Sequence, residues 1–583
     1  MKFATVVLLL SVSGVAKLAV GQDNNIPQVQ HVIMIIQENR TPDNLFGSDA
    51  IRKVHMLPPG ADLAKQGACF DTITQTDEII KLTPWRMDAC FDPHHGHNQR
   101  PPINDAWVTS YRNGNMDGAC NTSINKIYCK TGTPPCALAG YKHCPQYTYV
   151  DNSTGILKPL FEIAQQYGYA NYMFQTNQGP SYPAHQFLLS GTSAPVHFSN
   201  DPHKYWEWFV AEIPYGFNEA GCATRQGIAP PQIDPNGVES DGYTPQPPVD
   251  SPGFPCYEHE TLPDLLNANH VTWKYTGGRA GRPSSYWIAP NSIRHLCGTP
   301  GYDGACQGEE WIHHVIIPPF PPVAGQMAPI LSDLQNCTLP GVSWVIPDGS
   351  YSDHAGAKAD VKGASWIASI VNAVGGYDNA GKPLPKNCNY WSNTVVLITW
   401  DDWGGWYDHV LPWNCHPGPN GNCEGYANGT GSQYVYGFRV PLLVVSAYAK
   451  KGYISGALPP YGPGEVAPYV HDFGSMLNFI EYAFGKKGIP LSFPGSPGLG
   501  ISPPYPYADF LAPDAPFSDH NASLYSLADF FDFTKPARKF KPLTLAPQFQ
   551  QYNAAYFENY GLHKGDQAPQ DPDDDALEAL DDD

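Results

Sequence analysis

Two short segments, far apart in the chain, carry side chains that suit the binding of a hard divalent cation. Glu38 and Asn39 follow the apolar run 32–36, and Asp401 and Asp402 follow the β-branched run 394–399. Carboxylates beside an amide supply the oxygen ligands such a cation takes. Adjacent carboxylates at a strand end repel each other and are costly to bury without a positive charge between them. Gly404 and Gly405, just beyond, let the backbone turn sharply and approach a ligand closely. Each segment alone reads as a strand ending in a polar turn. The same design used twice points to one shared site.

Something must bring these segments together. Strand-like runs fall at 32–36, 271–275, 342–346, 395–399 and 441–446, and helix-like runs at 156–167, 361–374 and 473–484. Such alternation predicts a mostly parallel sheet with helices on both faces. Sheets of this kind place their chemistry outside the carboxyl ends of the strands. Because the motifs spread from residue 38 to beyond 400, a single large domain is expected. The Pro- and Gly-rich region 202–255 is read as an insertion over the site rather than a linker.

The motifs resemble those of the bacterial phospholipase C and acid phosphatase family of phosphoesterases. Glu38-Asn-Arg-Thr-x-Asp-Asn-x-Phe-Gly47 and Thr399-Trp-Asp-Asp-x-Gly-Gly-x-Tyr-Asp-His-Val410 carry the likeness. Between them, in the family's order, come Asp92-Pro-His-His-Gly-His97, Asn113-Gly-Asn-Met-Asp-Gly118, Gly179-Pro-Ser-Tyr-Pro183, Leu188-Leu-Ser-Gly-Thr-Ser193 and Ser352-Asp-His354. The resemblance implies an alkaline phosphatase-like α/β sandwich with a central, mostly parallel sheet flanked by helices. It implies one divalent metal ion held by Glu38, Asn39, Asp401, Asp402 and the Ser181 hydroxyl, with Ser181 as nucleophile. His95 matches the family's site histidine best, with His97 its neighbouring competitor. His295 and His354 are further catalytic candidates; His409 is read as supporting the site from behind, and His313 and His314 are weaker candidates. An all-oxygen ligand set suits Ca, Mg or Mn by softness, though geometry admits others. Where the family often has Pro-Asn after the nucleophile, this chain has Pro183-Ala184-His185.

On its own, Ser181 reads as a serine in a proline-rich turn, and a serine hydroxyl needs a metal or base to become a nucleophile. The chemistry implied is two-step phosphoryl transfer: Ser181 attacks phosphorus, a histidine protonates the leaving oxygen, and water cleaves the phosphoserine. Serine rather than threonine at that position leans towards hydrolysis of phosphomonoesters, as in the acid phosphatases. The alternative is phospholipase C cleavage of phosphodiester lipids such as phosphatidylcholine, and a remote one is an exported binding protein with a dead site. The substrate is thus a small phosphoester or a phospholipid. No Cys-x-Pro-x-Arg occurs, which disfavours sulfatase chemistry.

Residues 1–21 read as a secretory signal peptide, 22–550 as the catalytic domain and 551–583 as an acidic, disordered tail. The protein is therefore expected to be secreted or periplasmic, with no integral membrane segment. Fourteen cysteines fit an oxidising compartment, with Cys120, Cys129, Cys136 and Cys144 close enough in sequence to pair among themselves. A net charge of −21, nine acids of it in 566–583, argues against nucleic-acid partners, which select basic surfaces.

Overall fold

The computed structural model describes residues 24–52, 56–85 (apart from 73), 87, 91–97, 106–122, 124–127, 145–194, 209–212, 221–222, 230–233, 239–240, 256–277, 286–298, 306–318, 328–347, 351–354, 362–412, 416–417, 423–424, 435–457, 470–492 and 525–546. The expected signal peptide, the acidic tail, and Cys129, Cys136 and Cys144 lie outside these residues.

Eight strands form the main sheet: β1 (His31–Gln37), β2 (Gly168–Ala170), β3 (Trp273–Thr276), β4 (Val315–Ile316), β5 (Val342–Val345), β6 (Thr394–Trp400), β7 (Leu442–Ser446) and β8 (Tyr453–Ser455). Their order is β4-β3-β5-β1-β6-β7-β2-β8. Only β7 runs against its neighbours, β6 and β2; every other pairing is parallel. The central strands are buried from Val32 to Gln37 in β1 and throughout in β6. That explains their unbroken apolar runs, since a parallel strand covered on both faces has no polar side to show.

Seven helices matter here: α1 (Pro42–Arg52), α2 (Lys158–Gln166), α3 (Ser181–Ser190), α4 (Leu262–Ala268), α5 (Pro329–Asn336), α6 (Gly363–Val374) and α7 (Phe473–Phe484). One group joins α6 to α2 and α5, and another joins α3 to α4 and α7. Asp472 starts α7 and Thr261 starts α4 through reciprocal capping boxes with Ser475 and Asp264. Among the described residues no helix is long and apolar enough to cross a membrane.

The mixed α/β fold with a large, mostly parallel sheet is as the sequence predicts. The long strands and helices fall within a few residues of the predicted runs. What the pattern missed are the helices α1, α4 and α5 and the strands β2, β4 and β8, these strands each only two or three residues long. A more consequential difference is α3. Ser181 opens a ten-residue helix rather than sitting in a proline turn. Pro180 is its N-cap and Pro183 lies in its first turn, where backbone N–H groups have no acceptor inside the helix and proline therefore costs little.

Among the described residues, four disulfides join Cys69 to Cys120, Cys222 to Cys256, Cys297 to Cys306 and Cys337 to Cys388. Cys120 therefore does not pair within its local cysteine cluster. The Phe70 N–H to Asp117 carbonyl bond brings its loop beside the strand Gln66–Asp71, which carries Cys69. From the inserted region, residues 209–212 do lie beside the nucleophile loop. A Cβ on Gly179 would come within 1.8 Å of the Ala211 carbonyl oxygen.

Candidate active site

β1 and β6 are adjacent and in register, with Gln37 opposite Trp400. The next residues of both strands therefore emerge side by side. Asp401 N–H donates to the Gln37 carbonyl at 2.9 Å, carrying the ladder one step further. Asn39 then adopts a left-handed conformation (φ 55°), which asparagine tolerates better than most residues. Its N–H donates to Asp401 Oδ1 at 3.1 Å, and Asp402 N–H donates to the same oxygen at 2.7 Å. Gly404 N–H donates to Asp402 Oδ1 at 2.7 Å. A Cβ on Gly404 (φ 63°) would lie 2.6 Å from Asn39 Cβ, so the two strand-end turns can nest only with glycine there.

The first turn of α3 completes the group. Ser181 Oγ lies 3.2 Å from Glu38 Oε2 and 3.1 Å from Asp402 Oδ2. Glu38, Asn39, Asp401 and Asp402 are fully buried, and Ser181 is 8% exposed. Burial, reinforced by Asp401 and Asp402, pushes the Glu38 carboxyl well above its ordinary range. Burial and then Asp401 do the same to Asp402. Both shifts favour the protonated form of Glu38 and Asp402.

Asn39 shows what would neutralise them. One terminal atom of its amide faces His95 Nε2 at 3.1 Å and His354 Nε2 at 2.9 Å. The other lies 3.2–3.3 Å from oxygens of Glu38, Asp401 and Asp402. His95 Nδ1 sits 2.8 Å from the Pro93 carbonyl, which can only accept, so a neutral His95 carries its proton there and presents a bare Nε2 to Asn39. The amide NH2 then donates to that nitrogen, and the amide oxygen turns towards the carboxylates. In that orientation oxygens of Glu38, Asn39, Asp401 and Asp402 face one another. With Ser181 Oγ they form an oxygen cage that fits a divalent cation.

Of the candidates from sequence, the structure brings together Glu38, Asn39, Asp401, Asp402, Ser181, His95 and His354. His354 reaches the site on the loop after β5, whose Asp353 N–H donates to Gln37 Oε1 at 2.9 Å. His295 is not brought in. Its ring nitrogens lie 2.8 Å from Glu258 and 3.0 Å from Asp264, and these carboxylates outweigh its burial and raise it to about 10. His97 lies beside the nucleophile loop, with Nδ1 3.1 Å from the Gln178 carbonyl and its N–H bonded to Glu212. His313 pairs with Glu309, and His314 stacks on Trp273 in β3. His409 braces the site from behind. It bonds Asp43 at 2.7 Å and Asp62 at 3.0 Å, beside the buried Arg439–Asp408 pair. The sequence also left His185 without a role. It stands four residues after Ser181, on the same face of α3, and its Nε2 lies 3.4 Å from Glu38 Oε1. The signal that reveals it is the i, i+4 spacing, which a turn would not have conveyed.

A serine hydroxyl set among buried carboxylates at the carboxyl ends of parallel strands is a candidate cation site of the kind that can activate a hydroxyl. The sequence profile of the phosphoesterase family matches residues 29–487, and the chain belongs to that family. It is 23% identical over 499 residues to a non-hemolytic phospholipase C of Pseudomonas aeruginosa, covering 79% of this chain and 54% of that protein. It is 25% identical over 477 residues to phospholipase C A of Mycobacterium tuberculosis, covering 79% of this chain and 74% of that protein. A non-hemolytic phospholipase C of Burkholderia pseudomallei is 29% identical over 261 residues, 40% of this chain and 33% of that protein. The chain thus spans about half the length of the Pseudomonas relative.

Proposed function

We propose that this protein is an exported, cation-dependent hydrolase of phosphoric esters that works through a phosphoserine at Ser181, on an alkaline phosphatase-like scaffold. The convergence of Ser181 Oγ with Glu38 and Asp402 carries the proposal. Glu38, Asn39, Asp401, Asp402 and Ser181 would hold the divalent ion. When bound, such an ion lowers the proton affinity of the serine and withdraws charge from a phosphoryl oxygen.

The remaining chemistry belongs to the chain. Ser181 Oγ forms a bond to phosphorus as the ester oxygen departs on the opposite side. His354, or His95 once its Nε2 has taken up a proton, protonates that oxygen; both lie against Asn39. Water then adds to phosphorus and the Oγ–P bond breaks, returning the serine. Because Ser181 is the first residue of α3, the phosphoserine sits at a helix N-terminus, where free N–H groups favour an anion.

Two substrate readings have support. Serine at the nucleophile position favours phosphomonoesters. The relatives named phospholipase C favour a phosphodiester lipid. Hydrolysis of p-nitrophenyl phosphate and of p-nitrophenylphosphorylcholine, each with and without chelator, separates them. Activity on neither, or activity indifferent to chelator, defeats the proposal. The four disulfides among the described residues support export to an oxidising compartment.

A further inference from the structure

Glu38 and Asp401 each use one carboxylate oxygen around Ser181 and Asn39 and turn the other towards His185. Glu38 Oε2 faces Ser181, whereas Oε1 lies 3.4 Å from His185 Nε2. Asp401 Oδ1 accepts two backbone N–H groups, whereas Oδ2 lies 3.7 Å from the same Nε2 and, among the described residues, has no hydrogen-bond donor. All three side chains are fully buried. An unpartnered carboxylate oxygen in such a place is costly and calls for a positive charge.

His185 is oriented to supply the third ligand. Its Nδ1 lies 3.4 Å from the Tyr275 hydroxyl, which gives its own proton to the Trp287 carbonyl. The Tyr275 oxygen therefore accepts Nδ1–H, and the lone pair on Nε2 points at the two carboxylate oxygens. Outer hydrogen bonds fix metal-binding imidazoles in this way. The ring also stacks on Trp287, with centroids 6.5 Å apart. Cation bonds of about 2.1 Å would span ligand atoms 3.4 Å apart at roughly the tetrahedral angle. Charge points the same way. Three carboxylates against one divalent ion leave a net negative site facing an anionic substrate, and a second ion reverses that sign.

We propose that Glu38 Oε1, Asp401 Oδ2 and His185 Nε2 hold a second divalent cation, bridged through Glu38 and Asp401 to the one Ser181 shares. The inference rests on the reading of Glu38, Asn39, Asp401, Asp402 and Ser181 as ligands of the first. A nitrogen ligand tilts this position towards Zn and other imidazole-binding transition metals and away from Ca.

The test is to strip the full-length protein of metal, titrate it with Mn2+, and record bound Mn per chain together with its electron paramagnetic resonance spectrum. Two Mn per chain with an exchange-coupled spectrum are expected. His185→Asn should bind one, with an isolated-ion spectrum. Tyr275→Phe should weaken the second ion by about 10- to 100-fold and leave the first unchanged, which keeps the test decisive if His185→Asn fails to fold. One Mn in the wild type, lost in Asp402→Asn but kept in His185→Asn, overturns the second position alone. Two coupled Mn retained in a folded His185→Asn overturn it as well. No bound Mn in the wild type overturns both this inference and the reading of the first site.

Discussion

Asp402→Asn should abolish turnover and the binding of the cation that Ser181 shares, while making the chelated protein more stable. Ser181 Oγ touches both Glu38 Oε2 and Asp402 Oδ2, so these carboxylates are no more than about 6 Å apart. At an effective dielectric near 20, like charges about 6 Å apart repel by roughly 3 kcal/mol. Without a cation the native state relieves part of this by holding protons, since burial and neighbouring acids push Glu38 and Asp402 well upward. Asparagine keeps the shape. Its oxygen can still accept from Gly404 N–H, and its NH2 can donate to Ser181 Oγ. The expected gain in chelator is about 1–3 kcal/mol. The pH dependence has a definite sign. Carboxyls raised in the native state bind more protons there than in the unfolded chain, so wild-type stability in chelator falls as pH rises above about 4. The variant should show a shallower fall. Saturating Mn2+ should reverse the ranking, because a ligand at 100-fold excess over its Kd adds about 2.7 kcal/mol to the protein that binds it. Urea unfolding at several pH values, with and without chelator, measures all of this. An Asp402→Asn protein less stable than wild type in chelator, or one that keeps the cation Ser181 shares, would refute the electrostatic reasoning.

Ser181→Ala should fold normally and lose at least about a thousandfold in kcat, as expected when a nucleophile is removed; near wild-type turnover in a well-folded sample would exclude Ser181 from the chemistry. His409→Ala should cost about 3–5 kcal/mol by leaving the buried Asp43 short of its partner. Against the cost of burial, Asp43 and Asp62 raise His409 to about 10, so its contribution is full below the unfolded value near 6.5 and is lost as pH rises through about 10. Thermal melts from neutral to alkaline pH should show the wild type converging on the variant, and parallel curves would contradict this. Reduction should destabilise the fold by about 2–4 kcal/mol for each disulfide opened; a native thiol titration that finds all fourteen cysteines free would count against the pairing.

Sequence alone made the two strand-end motifs legible, and with them Glu38, Asn39, Asp401 and Asp402. Burial on both faces leaves a continuous apolar run, and the charged break at its end is visible in one dimension. The long helices were readable for a similar reason, since α6 and α7 are apolar over most of their length. Short edge strands were not, because two or three residues carry no period. The histidines could be sorted only by the tertiary structure. In sequence, His95, His295 and His354 are all catalytic candidates, yet folding sets two of them against Asn39 and commits the third to Glu258 and Asp264. His185 shows the same limit. Two prolines mask the start of α3, so its side chain becomes visible as a neighbour of Glu38 only once Ser181 is seen to open a helix. Ligand identity follows from local residue type, which a sequence states outright. Ligand assembly depends on strand register and helix phase, which arise only when the sheet closes around the site.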